Sequence, residues 1–257
     1  MTLGPKLHLQ KSKAPMVEYP TGTFGKMGVA FGPGDVPGDS VWHFSGADYR
    51  TEGSYAVLNW KGKYGKDFEG GFEIRMDDAG DTEFRYNFTY QGPDLWVREI
   101  GLDFELPLVF DKLCWDRKAE YSFYPDNHIG RPQGKAVAHP ATAQTIPPGD
   151  RPYGLDDHVL GCNDFRSTKR HIYTASLTNK EGQGVEVFSD GSQHVRATVG
   201  MHEIHLKVLD YYGGSAYTYN DGFHYGPGRL IKTGEVLKGT VRLKLLGEST
   251  NGTPAKN

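Results

Sequence analysis

The fold is decided by GGFEIRM (70–76), DDAGD (77–81) and EFRYNFTY (83–90). Apolar residues such as Phe72 and Ile74 alternate with charged ones in the first run, and aromatic residues occupy every second position of the last. Successive side chains of a β-strand point to opposite faces, so a period of two is the pattern of a strand with one buried face. The acidic, glycine-containing stretch between the runs is typical of a turn, and the whole predicts a β-hairpin.

The same alternation recurs along the chain. It is found in VREIGLDFEL (97–106), HIYTASL (171–177), VEVFS (185–189), GMHEIHLKVL (200–209) and GTVRLKLL (239–246). The fourth of these segments fits a strand better than a helix, and no segment matches the i, i+3, i+4, i+7 pattern over more than about three turns. The sequence therefore predicts an all-β protein, a large antiparallel β-sandwich.

The length of 257 residues fits a single domain, because all-β sandwiches of about 200–250 residues are common. We expect one sandwich domain over residues 1–247 and a disordered tail over 248–257. The glycine- and proline-rich segment at about 130–154 predicts a long loop over one face of the sandwich, with an interdomain linker as an equal alternative. Asp190-Gly191 is typical of the tight turn of a two-residue hairpin.

Charge and hydropathy argue against two classes of partner. With 29 basic and 32 acidic residues, and a formal net charge of −3, the chain lacks the basic excess through which proteins bind nucleic acid. No apolar run approaches the ~20 residues that cross a bilayer, so we expect no membrane partner. The N-terminal segment lacks the apolar centre of a signal peptide, which indicates a cytoplasmic protein or a piece cut from a longer chain.

The sequence holds no P-loop, no dinucleotide-binding fingerprint and no nucleophile elbow. We therefore expect no cofactor and no self-sufficient catalytic group. His202 and His205 lie three positions apart on a predicted strand, which places them on opposite faces and predicts no metal site there. Cys114 and Cys162 are expected as buried free thiols, with one disulfide between them as the alternative.

Polar and aromatic residues crowd into the glycine-containing segments 115–134, 162–171 and 211–228. Glycine-rich loops are poor places to bury rings, and exposed rings beside Asn, Asp, Arg and His offer sugars stacking surfaces and hydrogen-bond partners. The alternative is that the rings cover the ends of the sandwich. These segments predict a carbohydrate-binding surface that contains Trp115, Tyr124, Asp126, His128, Arg131, Asn163, Arg166, Arg170, Tyr217 and Tyr219.

Four short segments stand in a characteristic order along the chain. They are Trp115 with Tyr124-Pro125-Asp126, Asn163 with Arg166 and Arg170, His202 before a strand, and the pair Gly213-Gly214. In this order they resemble the C-terminal, small-chain domain of glycoside hydrolase family 2 β-galactosidases, over about Leu113–Leu245. The segment LGPKLHL (3–9) resembles the stretch that opens such domains.

The resemblance implies a galactose-mutarotase-like supersandwich, and it adds His202 to the carbohydrate-binding residues. In that family the catalytic glutamates belong to a separate TIM barrel, the domain closes over the barrel's active site, and the whole enzyme is a retaining β-glycosidase. The resemblance thus implies a non-catalytic carbohydrate-binding or active-site-completing module, with a galactoside or polysaccharide-derived ligand and a TIM barrel as partner. The family's tryptophan after the glycine pair is missing here, and Tyr217 and Tyr219 are the candidates to replace it.

Two other classes of function stay open. A stand-alone enzyme on the same fold, an aldose epimerase or a polysaccharide lyase, needs general acid and base groups. Its candidates are His128, Arg131, His158, Arg166, His202 and Tyr219. A purely structural or oligomerisation domain needs none. Convergence of Tyr124, Arg166 and Tyr217 on one concave face would distinguish a binding site from a structural domain.

Overall fold

The structure is a computed structural model, and it describes residues 5–11, 35–36, 42–118, 132–138, 168–199, 202–213 and 229–247. Over these residues the chain forms sixteen β-strands and no helix. The strands are β1 (Lys6–Lys11), β2 (Asp35–Val36), β3 (Trp42–Glu52), β4 (Tyr55–Tyr64), β5 (Phe68–Met76), β6 (Asp81–Tyr90), β7 (Leu95–Pro107), β8 (Lys112–Arg117), β9 (Gln133–Val137), β10 (Thr168–Lys169), β11 (Ile172–Thr178), β12 (Gly184–Phe188), β13 (His194–Val199), β14 (Glu203–Tyr212), β15 (Arg229–Ile231) and β16 (Val236–Leu246).

The described strands form two sheets. One has seven strands, in the order β10-β13-β14-β7-β1-β2, with β15 pairing with β7 beyond the end of β14. The other has nine, in the order β3-β4-β5-β6-β16-β12-β11-β8-β9. Every pairing in both sheets is antiparallel. We call them the seven-stranded sheet and the nine-stranded sheet.

The two sheets pack face to face around one apolar core. On β7 the buried side chains of Ile100, Leu102 and Phe104 stand at every second position. Phe84 on β6 of the other sheet packs edge-on against Phe104, with ring centroids 5.1 Å apart. Burying a large apolar side chain of this kind stabilises the fold by roughly 1.5–3 kcal/mol. The predicted all-β, antiparallel sandwich is therefore confirmed, and the alternating apolar residues of β6 and β7 face the core.

One polar cluster joins the sheets at the edge of the core. Tyr86 on β6 donates a hydrogen bond of 2.6 Å to Asp210 Oδ2 on β14, and Gln193 Nε2 donates one of 2.7 Å to Asp210 Oδ1. Burial raises the pKa of the Asp210 carboxyl, although both hydrogen bonds oppose this shift. Burial also raises the pKa of Tyr86, and the charge of Asp210 adds to that effect. Both carboxyl oxygens thus have a donor, which offsets the cost of removing them from water.

Several predicted elements are confirmed and one is wrong. The segment 70–90 forms the β5–β6 hairpin, the segment 171–189 forms the β11–β12 hairpin, and 203–212 is strand β14. Asp190-Gly191 does lie in a turn, with Gly191 at a φ of 93°. It closes no hairpin, however, because β12 belongs to the nine-stranded sheet and β13 to the seven-stranded sheet. The turn instead carries the chain across the sandwich.

The segment predicted as a long loop, 130–154, contains strand β9, which pairs with β8; most of the rest of that segment lies outside the described residues. Cys114 is a half-buried free thiol, whereas Cys162 and the predicted tail 248–257 lie outside the described residues. Among the described residues there is no helix with the length and apolar character needed to span a bilayer.

Candidate functional site

The outer face of the seven-stranded sheet, which points away from the core, carries a dense set of ionisable groups. On β7 the residues between the buried Ile100, Leu102 and Phe104 must point outward. The strand register brings outward-facing residues of β1, β13 and β14 beside them, since residues opposite each other in antiparallel strands share a face. We call this set the polar face: His8, Glu99, Asp103, Arg196, His205 and Lys207.

The most deeply buried part of the polar face is a cluster around Glu99. Its Oε2 lies 2.6 Å from His8 Nε2, and its Oε1 accepts a hydrogen bond of 2.7 Å from Arg196 Nη1. All three side chains are almost completely buried. Burial alone would raise the pKa of Glu99, but the charge of Arg196 and the hydrogen bond from His8 hold it well below its ordinary value. Glu99 is therefore a carboxylate that fixes two cationic or donor groups in place.

A second histidine–carboxylate pair lies nearer the surface. His205 Nδ1 is 3.0 Å from Asp103 Oδ2, and His205 Nε2 is 3.3 Å from Glu203 Oε1. The hydrogen bond to Asp103 raises the pKa of His205, against the effect of burial. Burial tends to raise the pKa of Asp103, but the hydrogen bond with His205 leads to a net lowering. The ion pair of Asp103 carboxylate and His205 imidazolium is thus favoured between the lowered pKa of Asp103 and the raised pKa of His205.

Two polar groups beside this pair have unused hydrogen-bonding capacity. Asp103 Oδ1 is buried and has no hydrogen-bond partner among the described residues. Lys207 lies opposite Asp103 in the sheet register, is only 9% exposed, and makes no direct hydrogen bond or ion pair with any residue that the structure describes. A buried polar atom without a partner costs free energy, and in native proteins it commonly marks a place for a water molecule or ligand.

Burial increases steadily across the polar face. The side chains of Glu203 and His205 are 37% and 23% exposed, that of Asp103 is 12% exposed, and that of Glu99 is fully buried. Beyond them an exposed ion pair joins Lys6 to Glu105. A ligand that approaches over Glu203 would therefore meet His205 and Asp103 before the cluster around Glu99.

The groups of the polar face are suited to proton transfer and hydrogen bonding. An imidazolium and a carboxylate side by side are the usual partners of general acid–base catalysis. Within the described part of the chain, no group of three or more His, Cys, Asp or Glu side chains is arranged to hold a metal ion. The arrangement thus fits a ligand with several hydroxyl groups better than one recognised through apolar contacts.

The chain is similar to galactose mutarotase-like proteins. Solved structures that match it include a galactose mutarotase related enzyme from Lactobacillus acidophilus, with a TM-score of 0.37, 11% identity, and coverage of 84% of this chain and 75% of that one. A galactose mutarotase-like protein from Lactobacillus casei has a TM-score of 0.39, 11% identity and coverage of 83% and 76%. Galactose 1-epimerase from Lactobacillus acidophilus has a TM-score of 0.32, 12% identity and coverage of 83% and 68%.

No protein-family model and no curated protein matches the sequence. Solved structures with TM-scores below 0.5 and about a tenth of positions identical do not assign an activity to this chain, since one fold serves many functions.

Three of the predicted carbohydrate-binding residues lie within the described residues, and none of them is among the six residues that define the polar face. Trp115 on β8 is 3% exposed and points into the core, where Lys169 Nζ lies 4.6 Å from its ring centroid. Arg170 is half-buried directly after β10, and His202 is exposed just before β14. The remaining predicted residues lie outside the described residues: Tyr124, Asp126, His128, Arg131, Asn163, Arg166, Tyr217 and Tyr219. They stay predictions, and so does His158.

The polar face itself was not predicted, although the sequence carries a signal for it. VREIGLDFEL (97–106) places acidic residues at 99, 103 and 105, alternating with apolar residues that were assigned to the core. Outward positions of a strand are ordinarily solvated. The sequence alone therefore gives no reason to expect that an outward carboxylate such as Glu99 is buried. Clustering of the other groups requires β1 and β14 to flank β7, a long-range pairing that alternation alone does not reveal.

Proposed function

We propose that this protein acts on a carbohydrate bound at the polar face, by acid–base chemistry of the kind that aldose epimerases use. The observation that carries the proposal is the presence of two histidine–carboxylate pairs, His8–Glu99 and Asp103–His205, on one face of one sheet. Lys207 lies beside them, and its ammonium group donates no hydrogen bond to any residue that the structure describes. Sugar hydroxyls both donate and accept hydrogen bonds, and charged groups form the strongest bonds to them.

The proposed reaction interconverts the two anomers of an aldose. The Asp103 carboxylate accepts the proton of the anomeric hydroxyl while the His205 imidazolium donates a proton to the ring oxygen. The bond between the anomeric carbon and the ring oxygen breaks, and a carbonyl forms. Rotation about the adjacent carbon–carbon bond and the reverse proton transfers then close the ring as the other anomer, with no net oxidation. Both oxygens are bonded to one carbon, so an acid and a base in direct contact suit the reaction.

The proposed roles predict a dependence of the rate on pH. The lowered pKa of Asp103 keeps the base ionised, and the raised pKa of His205 keeps the acid protonated, over the pH window between the two pKa values. The rate should fall as the pH drops through the pKa of Asp103, because the base becomes protonated. It should also fall as the pH rises through the pKa of His205, because the acid loses its proton. A bell-shaped profile of kcat/KM is therefore expected.

The test is the rate at which the isolated chain converts pure α-D-galactose and α-D-glucose to the anomeric equilibrium, followed by polarimetry. We expect acceleration above the buffer rate, and a loss of about 100-fold or more in Asp103→Asn and His205→Gln. His43→Gln is the matched control, because His43 is an exposed histidine on β3 of the other sheet. An isolated chain that never exceeds the buffer rate for either sugar rules out the epimerase proposal.

A second candidate is the non-catalytic module of a family 2 glycosidase, either binding carbohydrate or completing the active site of a TIM barrel. The ordered segments that contain Trp115, Arg170 and His202 favour it. Isothermal titration with galactosides and polysaccharide-derived oligosaccharides separates the candidates. Binding without acceleration of anomer exchange supports the module, and acceleration supports the epimerase. Neither binding nor acceleration at millimolar sugar counts against both and favours a purely structural domain.

A further inference from the structure

The nine-stranded sheet has a groove on its outer face, on the opposite side of the sandwich from the polar face. Its volume is about 870 Å³, within the usual range for small-molecule sites. Its polar lining residues alternate along β4, β5 and β6 with Trp60, Phe72 and Tyr86, which pack toward the core. The floor therefore offers polar side chains and backbone, and the three rings behind it are not available as a stacking platform.

One row of residues crosses the groove from strand to strand. Lys61 on β4 lies opposite Gly71 on β5, Gly71 lies opposite Asn87 on β6, and Asn87 lies opposite Lys238 on β16. Neighbouring strands are ~4.8 Å apart, so the two lysine Cα atoms are separated by roughly 14 Å. Gly71 has no side chain to fill the space between them. A lysine thus stands at each end of an open floor that contains one carboxamide.

The neighbouring charges in the groove already have partners. Glu73 accepts hydrogen bonds of 3.0 Å from Arg50 and 2.9 Å from Arg85. Glu69 lies 3.1 Å from Lys63 and also accepts from Gln91. These carboxylates are therefore neutralised by residues of the same sheet.

By contrast, Lys61, Asn87 and Lys238 make no side-chain hydrogen bond or ion pair with any residue that the structure describes. The charge without a partner in this groove is therefore positive, although the whole chain has a formal net charge of −3. A ligand with negative groups at both ends would satisfy both lysines, and hydroxyl groups between them would meet Asn87. Threonine side chains at Thr89 and Thr240 line the same groove and add further donors and acceptors.

We propose that this groove binds an acidic oligosaccharide, one that carries carboxylate or sulfate groups on successive sugars. The charge selects the acidic groups, the amide and hydroxyl side chains bind the sugar hydroxyls, and the open floor over Gly71 accepts the rings. Binding here is independent of the acid–base chemistry proposed for the polar face, because the core of the sandwich separates the two surfaces. A chain with no epimerase activity can therefore still bind at the groove.

The probes are a tetragalacturonate, its uncharged methyl ester and a sulfated galactan tetrasaccharide, each titrated into the full chain by calorimetry. We expect at least one of the acidic probes to bind, and the methyl ester to bind at least about ten-fold more weakly than tetragalacturonate if the carboxylate form is preferred. The comparison between the two acidic probes identifies the preferred acidic group. Affinity should fall as sodium chloride is raised from 20 mM to 500 mM, because salt screens exposed charges.

Charge reversal tests the two lysines. Lys61→Glu and Lys238→Glu should each weaken binding about five-fold, and the double variant about twenty-five-fold or more. Lys61→Arg and Lys238→Arg should retain it. Lys180→Glu is the matched control, because it places the same change at the exposed tip of the β11–β12 hairpin. Near-UV circular dichroism checks that each variant is folded.

Three outcomes would overturn the proposal. The first is that neither acidic probe binds at millimolar concentration. The second is that a folded double variant binds the preferred probe as tightly as the parent chain. The third is that the uncharged methyl ester binds as tightly as both acidic probes, which would show that charge does not select the ligand.

Discussion

The carboxylate of Glu99 gives the sharpest test of how the polar face is held together. It lies 2.7 Å from the Arg196 guanidinium and 2.6 Å from His8, and all three side chains are buried. The substitution Glu99→Gln keeps the shape of the side chain but removes its negative charge. Arg196 then keeps a buried positive charge without the carboxylate that offsets its loss of hydration.

Removing one partner of a buried ion pair costs about 3–5 kcal/mol of folding free energy. Each kcal/mol lowers the melting temperature of a protein of this size by about 2–4 °C, so Tm should fall by roughly 6–20 °C. The lowered pKa of Glu99 determines the direction in which stability changes with pH. The stability that this carboxylate contributes is present above its ordinary pKa and is lost as the pH falls through its lowered value. That acid-dependent step should disappear in the variant.

The assay is urea unfolding followed by tryptophan fluorescence, with Glu52→Gln as the control. Glu52 accepts a hydrogen bond of 2.6 Å from Arg50, but both side chains are about 40% exposed. The two variants remove the same charge from the same kind of pair at nearly the same distance, and they differ in burial. We expect Glu52→Gln to lower the stability far less than Glu99→Gln does, since exposed ion pairs contribute little.

A loss of less than about 1 kcal/mol in Glu99→Gln, at an unchanged m-value, would refute this view of the polar face. A loss equal to that of Glu52→Gln would refute it equally. Either result would mean that Arg196 is stabilised without Glu99. It would also mean that burial does not determine how much this ion pair contributes to the folding free energy.

Three further variants test other parts of the structure. Burial lowers the pKa of His194 to about 3. The parent should therefore lose stability as the pH falls from about 6.5 toward 3, because the unfolded chain binds the proton first. Urea midpoints measured from pH 7 to pH 4 should show a smaller loss in His194→Gln. Tyr86→Phe removes the donor to half-buried Asp210 and should cost about 1–3 kcal/mol in the same assay. An unchanged midpoint would contradict that role. Gly101→Ala would place a Cβ atom 2.0 Å from the Val208 carbonyl oxygen and should lower the free energy of unfolding by about 1–3 kcal/mol. Gly46→Ala is the control: no atom lies within 4 Å of its Cβ, so its free energy of unfolding should not change measurably.

The strands could be predicted because alternation is a local property. The side chains of 83–90 and 97–106 report directly which face of each strand is buried, and the structure agrees at Phe84, Phe88, Leu102 and Phe104. Sheet membership is not local. Asp190-Gly191 signals a reversal of the chain, but the next strand continues in the other sheet because its apolar face completes the core from the opposite side.

The candidate site was harder to predict for a related reason. The sequence predicts that exposed aromatic residues bind the ligand, yet Trp115 lies inside the core. Buried and less buried residues alternate along its strand, and Trp115 occupies one of the buried positions. The residues of the polar face are distant in sequence, and His8 and Glu99 are separated by 91 positions. Only the pairing of β1 with β7 brings them together. A polar residue at an outward position of a strand is ordinarily solvated, whereas here the outward face itself is largely buried.

Burial of so many charges on the polar face is difficult to explain by stability alone. Apolar residues of similar volume in place of a buried ion pair are often neutral or stabilising by about 1–4 kcal/mol. The pair formed by Glu99 and Arg196 is thus weak as a device for stabilising a sheet whose other face already lies in the core. Asp103 Oδ1 has no hydrogen-bond partner among the described residues, and Lys207 is only 9% exposed. Together with these two residues, the pair is better explained as a framework that holds polar groups ready for a ligand. The histidine–carboxylate pairs thereby give the carbohydrate proposal a physical basis that does not depend on fold similarity.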